Sequence, residues 1–101
     1  MEKKRPHYPL EEIQASVRRE GRRAFTVTAL RGGAEMGMSV AMMLEVVCTM
    51  PRGCFYKSMT TLYDHTIWQD VYVVPTSAGE AYVKVTGFDD GRPPVIQFKR
   101  R

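Results

Sequence analysis

The chain has 101 residues, of which 44% are hydrophobic and 26% are charged, a composition typical of one globular domain that folds without disulfides or metals. Fifteen Lys and Arg against eleven Asp and Glu give a net charge of +4, a moderate bias toward polyanionic partners that does not by itself establish nucleic-acid binding. No apolar run could span a bilayer, and the basic start MEKKRP lacks a following signal-peptide core. We therefore expect a single cytoplasmic domain, residues 1–101, with no membrane partner.

Residues 1–9 are rich in basic residues and prolines and show no hydrophobic periodicity, so we predict a flexible or loosely docked arm. A short amphipathic helix follows, because Leu10, Ile13 and Val17 recur at helical spacing. Gly21 is the predicted stop signal of this helix.

The next segment, RRAFTVT (residues 22–28), has two interpretations. Its alternation allows a short strand, whereas Thr26 or Thr28 could cap a helical turn through ALRGGAEMG. Arg22 and Arg23 extend the basic end of the first helix and could contact phosphates. A solvated helix end with charges suited to its dipole explains them equally well.

Ser39 is a good N-cap for the run VAMMLEVVCTM, whose apolar stripe predicts a further core helix. The cysteines Cys48 and Cys54 lie six residues apart, without a CxxC pair or a nearby pair of histidines. We therefore predict two free thiols, no zinc site and no other metal.

Four segments rich in β-branched and aromatic residues follow, separated by polar turns, and they predict an antiparallel meander. These segments are FYKSMTT (55–61), IWQDVYVV (67–74), AYVKVTGF (81–88) and PPVIQFKR (93–100), with PTSAGE (75–80) as the second turn. In the third strand, Ala81, Val83 and Val85 face one way, while Tyr82 and Lys84 face the other. The predicted fold class is α+β, with N-terminal helices packed on one face of a twisted antiparallel sheet and the other face free for a ligand.

Lys57 and Gln69 are polar residues that share strand faces with apolar neighbours, so each must reach the rim of the sheet or line a site. The chain has no Walker loop, GxGxxG, HExxH or nucleophile elbow. What remains is a basic and aromatic set suited to RNA, because aromatic rings stack bases and cations hold phosphates. Attack by the RNA 2′-hydroxyl needs only a base, a cation and an acid, and no metal or other cofactor.

The segments FYKSMTT, LYDHT and IWQDVY closely resemble the signature of the MqsR family of type II toxins, the small messenger-RNA interferases of MqsR/MqsA toxin–antitoxin modules. The resemblance extends to EKKRPHYPL at the start and to IQFKR at the end. It implies a RelE-like α+β fold and ribosome-independent cleavage of single-stranded mRNA at short GC-containing sites. It also implies inhibition by a zinc-containing, MqsA-like antitoxin with a helix-turn-helix domain, through which DNA would be contacted only indirectly.

By the same resemblance, the family's lysine, glutamine and tyrosine fall on Lys57, Gln69 and Tyr82, which we predict to be catalytic. Lys57 would be the transition-state cation and could also donate a proton. Gln69 would hold the phosphate or a base, and Tyr82 would act as acid or base or stack a base. The further residues predicted to bind RNA are Tyr56, His65, Lys84, Arg22 and Arg23. The junction TMPRGCF and the turn VVPTSAGEA depart from the family pattern, so substrate preference and antitoxin fit could differ.

Structural alternatives accompany these assignments. His65 could simply hydrogen-bond Asp64 or backbone in its loop, Lys57 could be a snorkelling strand lysine, and packing is the favoured role of Trp68. A second class of function also stays open, in which the chain is a non-catalytic RNA- or protein-binding module that acts only within an antitoxin/DNA repressor complex.

Overall fold

Three helices pack against a five-stranded antiparallel sheet in the computed structural model, which describes all 101 residues. The helices are α1 (Leu10–Glu20), α2 (Val27–Glu35) and α3 (Val40–Thr49). The strands are β1 (Glu2–Lys3), β2 (Phe55–Thr60), β3 (Trp68–Thr76), β4 (Gly79–Thr86) and β5 (Val95–Arg100), and they lie in this order across the sheet. The predicted α+β class is confirmed. None of the helices is both long and apolar enough to cross a bilayer.

The first and third helices form where the hydrophobic spacing predicts them. Leu10, Ile13 and Val17 are buried in α1, and Gly21, at a positive φ, donates its backbone N–H to the Val17 carbonyl. In α3 the Ser39 side chain accepts the first capping bond, from the backbone N–H of Met42.

The ambiguous segment after α1 is resolved in favour of the helix. Thr26 has extended backbone angles, and its hydroxyl accepts a hydrogen bond from the backbone N–H of Ala29, which makes it the N-cap of α2. The strand interpretation is wrong except for one isolated parallel bridge between Phe25 and Ile96. A capped helix satisfies more backbone groups here than a two-residue strand could.

The expectation of a loose N-terminal arm is wrong. Glu2 and Lys3 form a strand that pairs with Met59 and Ser58 of β2. Further along the arm, the backbone N–H groups of His7 and Tyr8 donate to the carboxylate of Asp70, which is 1% exposed. A buried carboxylate needs hydrogen-bond donors, and the arm supplies them, so the arm is held against the sheet.

The helix-facing side of the sheet forms the core with the apolar stripes of the helices. Tyr72 pairs with Val83, which pairs with Phe98, and this row is completely buried. The β3–β4 connection is tighter than predicted, because both strands continue through PTSAGE and leave only Ser77 and Ala78 as the turn. Gly79 makes this turn possible with a φ of +106°.

The two edges of the sheet are covered by different elements and to different extents. Beside β5, α2 approaches so closely that a Cβ at Gly32 would overlap the carbonyl oxygen of Phe98. On the opposite side, the short β1 covers only the second half of β2. A bulge at Tyr56 interrupts the pairing in the uncovered half, because Phe55 pairs with Tyr72 while Lys57 pairs with Val71.

Candidate active site

We call the sheet face opposite the helices the open face. The pairing register of the strands determines which side chains lie on it. Lys57 pairs with Val71, Val71 with Lys84, and Lys84 with Gln97, so these four side chains form one row on one side of the sheet. Val71 in the middle of the row is only 2% exposed, although no helix covers it. Long polar side chains therefore cover the apolar floor of this face with their stems and present their charged ends to solvent.

The three residues predicted to be catalytic all lie on the open face. Gln69 is next to Val71 along this face of β3, and its amide donates to the Thr86 hydroxyl at 3.1 Å. Tyr82 pairs with Val73 and Lys99. Given the usual spacing and rise of strands, the Cα atoms of Lys57 and Tyr82 are about 12 Å apart. That separation lets two long side chains approach one phosphodiester from either side.

Lys57 is held as a cation by the N-terminal strand. Its Nζ lies 2.8 Å from the Glu2 carboxylate, and 27% of its side chain is exposed. The hydrogen bond that Lys57 donates to Glu2 raises the pKa of Lys57, and the Glu2 charge adds to this effect. Lys57 is thus suited to stabilise negative charge and poorly suited to give up its proton.

The pKa of Lys84 is shifted in the opposite direction to that of Lys57. Burial lowers its pKa, and the like charges of Lys99 and Lys57 lower it further. Lys84 lies at a small cleft of about 130 Å³ between α2 and the middle of β4 and β5. The cleft is also lined by Thr28, Ala29, Tyr82, Gln97, Phe98 and Lys99.

Three cations surround the ring of Tyr82. The ammonium groups of Lys84 and Lys99 lie 5.9 and 6.0 Å from its centroid, and the guanidinium of Arg101 lies at 5.9 Å. Lys99 is a residue of this face that the predicted site did not include. In IQFKR, Gln97 and Lys99 alternate with apolar residues and so share the polar side of the strand. This alternation could have identified Lys99 from the sequence.

The remaining residues predicted to bind RNA are distributed over different parts of the molecule. Tyr56, at the bulge, is 44% exposed, and its ring centroid lies 5.4 Å from the Lys57 ammonium. His65 is exposed in the β2–β3 loop and makes no hydrogen bond, since Asp64 instead accepts from Thr66. Its suggested bond to Asp64 is therefore absent.

Arg22 and Arg23 lie away from the open face, in the turn that follows α1 in the helical layer. Arg23 contacts Glu20 at 3.4 Å, as expected of a solvated helix end. Trp68 has a packing role, as favoured from the sequence, but it packs against the arm: its ring stacks on His7 at 5.3 Å, and Lys3 lies above it at 4.1 Å.

The fold and this face define a class of protein: a small α+β domain with lysines, a glutamine and a tyrosine gathered on the exposed side of its sheet. Residues 5–100 match the model of a family described as "Motility quorum-sensing regulator, toxin of MqsA". The chain is 38% identical over 101 residues to the mRNA interferase toxin MqsR of Escherichia coli (strain K12), with 100% of both chains covered. The chain therefore belongs to the MqsR toxin family.

Proposed function

We propose that this protein is an mRNA interferase, an endoribonuclease toxin that cuts single-stranded messenger RNA at short GC-containing sites without the ribosome. The observation that carries the proposal is the presence of Lys57, Gln69 and Tyr82 on one exposed sheet face, with Lys84 between them. The full-length relative that is named an mRNA interferase toxin supports the same activity.

In the proposed mechanism, the RNA 2′-oxygen attacks the adjacent phosphorus, and the 5′-oxygen of the next nucleotide departs. The Lys57 ammonium contacts the phosphate and stabilises the charge that develops on it. The Gln69 carboxamide holds the phosphate or a neighbouring base. In this mechanism these side chains act without a metal.

Tyr82 is the proposed acid that gives its proton to the departing 5′-oxygen. Three cations lie around its ring, where they would neutralise negative charge of the bound RNA. Lys84 and Lys99 would also hold the phosphates on either side of the cleaved bond. Tyr56, exposed beside Lys57, would stack a base.

Cleavage of a purified RNA oligonucleotide in EDTA tests the proposal. We expect the wild-type protein to cut, and Lys57→Ala and Tyr82→Phe to cut at least ~100-fold more slowly, the usual cost of removing one group that stabilises the transition state. Arg31→Ala, an exposed substitution in α2, is the control and should cut at the wild-type rate. Uncut RNA at micromolar wild-type protein, with RNA binding intact, would instead support the non-catalytic binding module.

The proposed partner is a zinc-containing, MqsA-like antitoxin with a helix-turn-helix domain, which would bring the toxin to DNA only indirectly, in the cytoplasm. The description of the matched family as the toxin of MqsA supports this partner. Strand addition is one route for such binding, because Phe55–Lys57 of β2 lies at an edge that β1 leaves uncovered.

A further inference from the structure

Glu2 lies on the open face although it belongs to the N-terminal arm. It pairs with Met59 in the register of β1 and β2, and its Oε1 atom is 2.8 Å from the Lys57 ammonium. The strand that carries it is anchored at its start, where the Met1 carbonyl accepts from the Thr60 backbone N–H at 3.0 Å. Glu2 is therefore a positioned carboxylate with 58% of its side chain exposed to an incoming ligand.

We propose that the Glu2 carboxylate is the general base that removes the proton from the attacking 2′-hydroxyl. This inference rests on the proposed endoribonuclease function and assigns a step that Lys57, Gln69 and Tyr82 leave unfilled. The first of these is held charged, the second is a neutral amide, and the third serves as the acid.

Other proton acceptors are less well placed. Glu80 is the other carboxylate on this face, but it is paired with Arg101 at 3.2 Å and lies about 16 Å from Lys57 by strand geometry. His65 is in the exposed loop, with no hydrogen bond to orient its ring. Glu2 alone is both oriented and adjacent to the cation that would hold the scissile phosphate.

The geometry suits proton transfer. A phosphate oxygen bound to the Lys57 ammonium would lie about 3–5 Å from the Glu2 carboxylate, because both would contact the same nitrogen at hydrogen-bond distance. The 2′-hydroxyl of the attacked nucleotide is bonded to the carbon beside the one that carries the 3′-oxygen of that phosphate. A small movement of the Glu2 side chain would thus bring its carboxylate within ~2.6–3.2 Å of the 2′-oxygen, the distance required of a general base.

The step balances without any additional reactant. The 2′-hydroxyl proton passes to the Glu2 carboxylate as the 2′-oxygen forms its bond to phosphorus. The bond from phosphorus to the 5′-oxygen breaks, and that oxygen takes the Tyr82 proton. The products are one fragment ending in a 2′,3′-cyclic phosphate and one beginning with a 5′-hydroxyl. Glu2 has then gained one proton and Tyr82 has given one up.

The charges that face Glu2 keep it ionised and ready to accept a proton. The Lys57 hydrogen bond and charge, from β2, lower the pKa of Glu2 most, and Lys4 and the terminal amine of its own strand lower it further. A carboxylate of low pKa is a weak base, so its effectiveness depends on its position beside the scissile phosphate. General acid–base catalysis typically contributes about 10²–10⁴-fold.

Single-turnover cleavage by Glu2→Gln tests the proposal, because glutamine keeps the size and hydrogen bonding of the side chain but cannot take the proton. We expect a rate at least ~100-fold below wild type with unchanged or tighter RNA binding, since a negative charge near the phosphate is removed. Glu80→Gln, on the same face, is the matched control and should cut like wild type. In Glu2→Ala, added formate should restore the rate in proportion to its concentration, whereas chloride should not.

The possible results separate the two proposals. If wild-type protein cuts no RNA, the endoribonuclease function fails and the role of Glu2 fails with it. If wild type cuts and Glu2→Gln cuts equally fast, only the role of Glu2 is overturned. Slow cleavage that formate does not rescue would also overturn it, because Glu2 would then serve only to position Lys57.

Discussion

Asp70 shows how one side chain determines the path of a whole segment. Its carboxylate is buried on the helix-facing side of β3 and accepts the backbone N–H groups of His7 and Tyr8 at 2.9–3.0 Å. These bonds fix the arm that carries Glu2 and Lys3 into the sheet. A residue that belongs to the interior thus controls what is present on the open face.

Replacing Asp70 with asparagine should loosen this arm. The amide offers one neutral acceptor oxygen in place of two charged ones, so the hydrogen bonds from His7 and Tyr8 become weaker, and we expect a decrease of about 1–3 kcal/mol in the free energy of unfolding. Urea denaturation measures the decrease, and hydrogen exchange should show faster exchange at the β1 amides. Asp89→Asn, at an exposed site, is the control. Wild-type stability in Asp70→Asn would show that the arm is not held by this carboxylate.

Among the elements, α2 packs directly against the backbone of β5. Gly32 is buried in α2, and a Cβ there would overlap the Phe98 carbonyl oxygen. Gly33 is buried as well, but a Cβ there would meet the side chain of Met43. Backbone cannot move aside as a methionine side chain can, so the two glycines are required to different degrees.

The contrast predicts an unusual order of stabilities. Glycine to alanine inside a helix normally stabilises by roughly 0.5–1 kcal/mol, yet Gly32→Ala should destabilise by about 1–3 kcal/mol or more because of the clash. Gly33→Ala should cost less, since Met43 can change rotamer. Gly53→Ala, with nothing within 4 Å of the added carbon, is the control. Thermal unfolding measures all three, and a stabilised Gly32→Ala would refute the close approach.

At the scale of the whole molecule, the cations are divided between two layers. Lys57, Lys84 and Lys99 lie on the open face, whereas Arg22 and Arg23 lie at the end of α1 in the helical layer. If RNA binds to the open face, the lysines release most of the counterions, and the arginines release few.

Salt titrations of RNA affinity can therefore locate the binding surface. Combining Lys84→Gln with Lys99→Gln should lower the slope of log K against log salt by about 1.4, or about 0.7 for each phosphate of a single strand that is no longer neutralised. Combining Arg22→Gln with Arg23→Gln makes the same change in net charge, from +4 to +2, and should leave the slope nearly unchanged. The opposite result would place RNA on the helical layer.

The parts of the fold that depend on local pattern could be predicted from the sequence. Hydrophobic spacing predicts α1 and α3, and alternation in the third strand separates Val83 from Tyr82 and Lys84. The family signature then pointed to Lys57 and Gln69. Periodicity and signature motifs both depend on residues that are near neighbours in the chain, so the sequence alone reveals them.

The rest required the tertiary structure, because it arises between residues far apart in the chain. Nothing in EKKRPHYPL indicates that Glu2 will lie against Lys57, since that contact depends on a buried Asp70 that draws the arm onto the sheet. Adjacency across strands likewise brings Lys99 beside Tyr82. The sequence by itself determined which residue types face outward on each strand. Only the packing of arm, sheet and helices decided which charges meet, because burial and register depend on the whole chain.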